Sequence, residues 1–348
     1  MNKLLRTKTI TILLLLVFLV SLTACGSQPT SSNAPAQSQQ SAPQNDTPAQ
    51  PESKAPEAEP EKTGGGEIAL VPPGMTSPYY DALVKGARPV AEELGYKLTV
   101  LSPEKESDAA GQVKIVEDLI TKKVKAIGLC SINDDSIVSA VKKANEAGIP
   151  VIFFNSSLKE LSAGEIYCYI GFEEVPGAKN MAEYVSKIKN GNANVGIIEG
   201  LPSTYTTARK GGFSEKAAEY PGFKIVDSQT GEWEREKAMN VATNMLQAHP
   251  EIDTFFACSD EMGLGAAKAC QAAGKTDIVV VSVDGNPNAL EAIMKGEMTA
   301  TLGVNPKLTG EITIQEMDNA IKGIPAQSKI IKIDTVVIDK NNAEQYMN

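Results

Sequence analysis

The chain has 348 residues, with 43 acidic against 33 basic side chains, a formal net charge of −10 at pH 7 and a pI near 4.9. An acidic chain without Lys/Arg clusters interleaved with aromatics argues against a nucleic-acid partner. One His and scattered Cys residues offer no metal-ligand spacing, and nucleophile elbow and phosphate-cradling loop are both missing, so enzyme, metal and cofactor readings have nothing to stand on.

Lys3, Arg6 and Lys8 precede an apolar run over residues 10–20, which is short for a membrane span and reads as a secretory signal. It ends in Leu22-Thr23-Ala24-Cys25-Gly26, which resembles the lipobox of bacterial lipoproteins. That likeness implies cleavage of a signal peptide, 1–24, and lipidation of Cys25, with a secreted protein carrying an incidental Cys or an uncleaved anchor as the alternatives. Acyl chains on Cys25 would hold the protein at a membrane surface, since each buried methylene contributes about 0.8 kcal/mol. Residues 25–66 are rich in Pro, Gln, Ser, Ala and Glu and end in Thr63-Gly64-Gly65-Gly66. Such a composition cannot bury enough surface to fold and reads as a tether spanning roughly 35 Å.

From residue 67 onward, roughly 280 residues remain, enough for two domains with separate cores. Short apolar runs alternate with helical periodicity throughout. The first half predicts strand 67–71, helix 80–94 with a kink at Pro89, strand 97–101, helix 109–122, strand 126–129, helix 135–147 and strand 150–154. The rhythm resumes with strand 166–170, helix 175–189, strand 194–198, helix 206–219, strand 224–226, helix 233–248, strand 254–258 and helix 261–273. Strand 278–283, helix 287–295, strand 299–304, helix 307–322 and a strand over 329–337 complete it. Strict alternation means α/β architecture with parallel sheets, and so many strands divide most economically into two doubly wound, Rossmann-like lobes. A closed (β/α)8 barrel is the structural competitor. Cys130, Cys168, Cys258 and Cys270 end strand-like runs or lie on a helix and read as buried thiols, although export also permits a disulfide. Gly263-Leu264-Gly265 lacks the third glycine of a dinucleotide fingerprint and reads as helix packing.

The run Ile278-Val-Val-Val-Ser-Val283 is β-branched almost throughout and reads as a strand buried on both faces, stopped by Asp284-Gly285. A carboxylate at the carboxyl end of a parallel strand either faces a ligand crevice or caps the helix that starts near Pro287. Other strands are followed by similar groups: Ser77, Tyr79 and Tyr80, then Asn155 and Ser156, then Ser259, with Arg209 near a helix start and Trp233 on the second half. Hydrogen-bonding side chains between aromatic rings suit a neutral polyhydroxylated ligand.

The passages Ala248-His-Pro-Glu-Ile-Asp-Thr-Phe-Phe-Ala-Cys-Ser-Asp-Glu-Met-Gly-Leu-Gly-Ala266, Val280-Val-Ser-Val-Asp-Gly285 and Arg209-Lys-Gly-Gly-Phe213 resemble the ribose-type, LacI-like type 1 periplasmic sugar-binding proteins. The resemblance covers nearly all of the chain from residue 67. It implies two lobes joined by a three-strand hinge: 67–171 with 305–337, and 172–304 with 338–348. It also implies a sugar enclosed by hinge closure and presented to an ABC permease with its ATPase. Position by position, the family's aromatic pair matches Tyr79 and Tyr80, its arginine Arg209, its second-lobe ring Trp233 and its strand-end aspartate Asp284. An Asp-Arg pair of ribose binders is Asn155-Ser156 here, an Asn is Ser259 and a hinge Gln is Val304, departures that point away from ribose toward a neutral ligand with fewer or differently placed hydroxyls. A second resemblance, to receptors for the furanosyl quorum-sensing signal, rests on Ser77, Asn155, Ile170-Gly171-Phe172 and Arg209, and implies a sensor kinase as partner. In that family a second arginine falls at Val304, which disfavours the borate-charged form of the signal.

Overall fold

The computed structural model of the protein describes residues 65–155 and 164–347. The signal segment, Cys25, most of the tether and Ser156 lie outside the described residues. Two six-stranded sheets organise the rest, each with helices on its faces. In the first, β1 (Glu67–Val71) lies between β2 (Lys97–Val100) and β3 (Ile127–Leu129), followed by β4 (Val151–Phe154), β5 (Tyr169–Gly171) and β11 (Ile330–Lys332), all parallel. In the second, β6 (Asn192–Glu199) lies between β7 (Gly222–Thr230) and β8 (Thr254–Ala257), followed by β9 (Val279–Asp284), β10 (Ala300–Gly303) and β12 (Val336–Asp339). Only β12 runs antiparallel to its neighbour. Two open sheets with edges rule out the closed barrel. In both, strand order reverses beside the first strand, at β1/β3 and β6/β8, and this opens a crevice beyond the carboxyl ends of the strands.

The helices α1 (Pro78–Glu93), α2 (Ala109–Lys122), α3 (Asp134–Glu146), α4 (Glu174–Ile188), α5 (Thr204–Ala217), α6 (Arg235–Ala248), α7 (Asp260–Ala272), α8 (Pro287–Lys295) and α9 (Pro306–Ile321) follow the strands as expected from apolar periodicity. Pro89 leaves α1 unbroken because it lies on the exposed face, where a carbonyl without its amide partner is solvated. The chain passes between the sheets after β5, after β10 and between β11 and β12. On the second pass α9 returns to pack on α1. Gly86 and Gly310 permit this close crossing: a Cβ on Gly310 would sit 2.0 Å from the Leu83 carbonyl oxygen, and one on Gly86 2.1 Å from that of Lys307. Gly265 serves α6 and α7 in the same way, since its Cβ would meet the Arg235 carbonyl oxygen at 2.3 Å. The glycine pair of that segment is therefore a packing device.

The stretch 329–337 is two strands in different sheets. Ile330, Ile331, Ile333, Val336 and Val337 form one apolar pattern, yet residues 333–335 carry the chain across, so the last crossing falls there. β7 is nine residues long where three were expected, because an edge strand exposing Lys224 and Ile225 carries little hydrophobic signal while pairing along the whole of β6. Trp233 precedes α6 in a turn where Glu232 and Trp233 both have positive φ. Cys130, Cys168, Cys258 and Cys270 are all buried, and burial pushes Cys168, Cys258 and Cys270 up to about 12, which keeps them protonated and inert.

Candidate functional site

A cavity of about 260 Å³ lies among residues that follow the carboxyl ends of strands in both sheets. After β1, Ser77 caps α1 by accepting from Tyr79 N at 3.3 Å. This turn delivers Tyr79 and Tyr80 into the cavity as a T-shaped pair with ring centroids 5.1 Å apart. Asn155 enters after β4, Ile132 and Asn133 after β3, and Glu106 from the loop between β2 and α2. The second sheet contributes Ser203, Tyr205 and Arg209 after β6, Trp233 after β7, Ser259 after β8 and Asp284 at the end of β9. Ser259 caps α7 by accepting from Met262 N at 3.4 Å, so Ser77 and Ser259 serve as caps and lining residues at once.

Arg209 is the electrostatic centre, 5% exposed. Its guanidinium grips Glu174 in bidentate fashion, Nε to Oε2 at 2.7 Å and Nη2 to Oε1 at 3.3 Å. Nη1 donates to the Cys258 carbonyl at 2.6 Å and to Asp284 Oδ1 at 3.5 Å. The plane lies 5.3 Å from the Phe172 ring centroid and 5.9 Å from that of Trp233. Rigid fork geometry and weak hydration suit Arg to this buried, ring-lined position. Burial opposes its charge, but Glu174 and Asp284 override that and strengthen its hold on the proton. Burial raises Glu174 against the pull of Arg209, and raises Asp284 well above the carboxylate range, with Arg209 lowering it and Asp260 raising it. Behind them Asp260 accepts from Ser282 Oγ and Thr301 Oγ1, both at 2.5 Å, and from Asn286 N at 2.6 Å. Burial holds Asp260 at about 6 despite these donors. One guanidinium thus faces two buried carboxyl groups, with Asp260 behind Asp284.

Asp284 faces the cavity and does not cap α8, whose N-cap residue is Asn286. Three lining residues adopt positive φ: Asn155 at 43°, Trp233 at 67° and Asp284 at 138°. Asn tolerates this; a bulky ring does so only when its surroundings over-determine it. Gly200 supplies the seat for Trp233, since a Cβ there would lie 2.0 Å from indole Cζ2. Asn155 Oδ1 is buried without a hydrogen-bond partner among the described residues, while its Nδ2 donates to Tyr80 Oη at 3.4 Å. Across the crevice, Tyr205 Oη donates to the Ser131 carbonyl, and Thr204 Oγ1 to Asp134 Oδ2 at 3.4 Å. These bonds tie α5 to the loop and helix after β3.

Eight expected positions therefore come together: Ser77, Tyr79, Tyr80, Asn155, Arg209, Trp233, Ser259 and Asp284. Val304 does not join them. It follows β10 with its N–H donating to Asp284 O at 3.2 Å, and its side chain, 1% exposed, points into the packed core. Glu106, Tyr205 and Glu174 escaped the sequence reading, and Phe172 entered it only through the second resemblance. Tyr205 and Phe172 are rings placed just after strands, the signal that singled out Tyr79 and Tyr80. Glu174 had no comparable mark.

The chain matches the Periplasmic binding protein domain family over residues 68–325. It is 34% identical to the ribose import binding protein RbsB of Escherichia coli (strain K12) over 263 residues, covering 75% of this chain and 87% of that protein. To the D-allose-binding periplasmic protein of the same organism it is 30% identical over 275 residues, covering 77% and 87%. Among solved structures, an ABC transporter periplasmic solute binding protein from Actinobacillus succinogenes 130z with bound D-allose superimposes with a TM-score of 0.77 at 33% identity, covering 81% of this chain and 100% of the other. Two doubly wound sheets facing a shared cavity and a family match over most of the folded body lead to one conclusion: the chain belongs to the type 1, sugar-binding periplasmic binding proteins.

Proposed function

We propose that the protein is an extracytoplasmic receptor, lipid-anchored through Cys25, that encloses a small neutral sugar or polyol between two lobes and delivers it to an ABC permease. The observation that carries this reading is the cavity itself, with hydroxyl and amide groups beside four aromatic rings drawn from both sheets. Ser77, Tyr79, Tyr80, Asn155, Arg209, Trp233, Ser259 and Asp284 are the proposed contacts. The names of the relatives support it: ribose and allose binding proteins, and an ABC transporter solute binding protein from Bacillus halodurans C-125 with bound myo-inositol, TM-score 0.75 at 26% identity. In this reading Arg209 is held by Glu174 to offer its remaining donor capacity, Asp284 accepts from hydroxyls, and the rings cover C–H faces. Tyr205 to Ser131 and Thr204 to Asp134 act as the latch of the closed form.

The test is a thermal-shift and Trp fluorescence screen of the purified protein against pentoses, hexoses and polyols. A ligand at about a hundred times its dissociation constant adds about 2.7 kcal/mol and raises the melting temperature by a few degrees. The response disappears in Asp284→Ala. Silence toward every sugar and polyol would refute the reading, whereas tight ribose binding would refute the expectation of a ligand other than ribose.

A further inference from the structure

Within the sugar class, charge separates possible ligands. The cavity-lining residues include one guanidinium, Arg209, and its donors already serve Glu174, Asp284 and the Cys258 carbonyl. Glu174 and Asp284 together answer that cation, and Glu106 adds a further carboxylate to the cavity wall. Glu106 accepts from Thr76 Oγ1 at 3.1 Å through Oε1, and no basic side chain pairs with it among the described residues. Burial raises it, the Thr76 bond lowers it and Glu234 raises it again, the behaviour of a carboxylate lacking a countercharge. Tyr79, Tyr80, Tyr205 and Trp233 line the same space, and ring faces attract cations.

We propose that the cavity prefers a sugar carrying a protonated amine in place of one hydroxyl, and that Glu106 is the residue that selects it. This rests on the receptor reading above for cavity and delivery and departs from it in the ligand's charge, cationic in place of neutral. An ammonium group brings three donors and a positive charge, which answers Glu106 and the ring faces together. A neutral sugar supplies donors and leaves the carboxylate without a countercharge. An anionic sugar meets Glu106 while the one lining guanidinium, Arg209, is already paired.

The experiment is calorimetric titration of the purified protein at neutral pH with matched pairs: D-glucosamine and D-glucose, D-galactosamine and D-galactose, D-mannosamine and D-mannose, with D-glucuronate as the anionic probe. At least one amine is expected to bind about tenfold or more tighter than its parent, with a gap that narrows between about 0.05 and 0.5 M salt because a charge is being recognised. Glucuronate binds weakest. Glu106→Gln brings the amine level with its parent, and Glu106→Asp restores part of the gap. The ligand-free melting temperature reports whether each variant is folded, and if Glu106→Gln is not, the salt dependence of the unaltered protein decides. Amines no tighter than their parents, or a gap that survives in folded Glu106→Gln, overturn the proposal and leave the receptor reading standing. No binding by any amine, neutral sugar or polyol overturns both.

Discussion

Arg209→Met tests whether the guanidinium is what makes the site foldable. Arg209 is 5% exposed, Glu174 9% and Asp284 5%, so methionine fills much of the volume but strands two carboxyl groups away from water. Breaking a buried ion pair by removing one partner typically costs about 3–5 kcal/mol, because the remaining charge stays desolvated. Both carboxyl groups are already raised by burial with Arg209 present, and Arg209 pulls each of them down. Without it they rise further. An acid whose folded-state value lies above its unfolded one, about 4, binds more protons when folded, and its contribution is lost as pH rises through the folded value. The variant's deficit should therefore be larger at the higher of two pH values above about 4 and smaller at the lower, as the stranded groups take up protons. Urea denaturation followed by circular dichroism at several pH values reads both quantities. Adding Glu174→Gln should recover part of the loss, since the two residues share one interaction. A deficit below about 1 kcal/mol, or one of equal size at both pH values, would show that the charge cluster is not held by Arg209 in the way described.

Other substitutions probe separate links. Gly310→Ala drives a methyl group to 2.0 Å from the Leu83 carbonyl oxygen and should destabilise by about 1–3 kcal/mol; a loss below about 0.5 kcal/mol would mean that α1 and α9 can separate freely. Gly200→Ala displaces the indole of Trp233, the chain's single tryptophan, and an unchanged emission maximum would argue against its seat. Asp260→Asn removes a group raised from 3.8 to about 6, whose contribution is present below about pH 4 and lost as pH rises through 6. The variant should accordingly show a smaller change in urea midpoint between about pH 4 and 7 than the parent, and an unaltered slope would refute the assignment. Tyr205→Phe deletes the donor to the Ser131 carbonyl, which predicts a larger radius of gyration by small-angle scattering and weaker ligand binding by about 1 kcal/mol.

Much of this molecule is local and therefore legible in order of residues. The run Val279–Asp284 is mostly β-branched and buried, so its strand, its stop at Gly285 and the carboxylate placed at its end follow from adjacent residues. α8 over Pro287–Lys295 and α2 over Ala109–Lys122 likewise carry their period and their ends in the chain itself. Reading the residues that follow each strand brought Ser77, Tyr79, Tyr80, Asn155, Ser259 and Asp284 to one cavity, because parallel sheets place such residues at one edge; Arg209, near a helix start, and Trp233, matched by resemblance, join them. Val304, singled out by the resemblance alone, also follows a strand, but its side chain turns into the core. Direction at a strand end depends on the neighbouring strand, which sequence order does not contain.

Only tertiary structure decided the rest. Glu174 lies in the first turn of α4 like any helix-initiating acid, and it becomes half of a bidentate pair because α5 packs beside it and turns Arg209 inward. Glu106 belongs to a charged loop, Glu104-Lys105-Glu106, and nothing local distinguishes the carboxylate that faces the cavity from the one that does not. Trp233 could be read as a helix residue until the close approach of Gly200 seats it in a turn with positive φ. The apolar stretch 329–337 divides between two sheets because each part pairs with a strand more than thirty residues away in the chain. Periodicity records which face of an element is buried; what that face meets, and which polar groups are left to meet a ligand, is set by contacts between residues far apart in the chain.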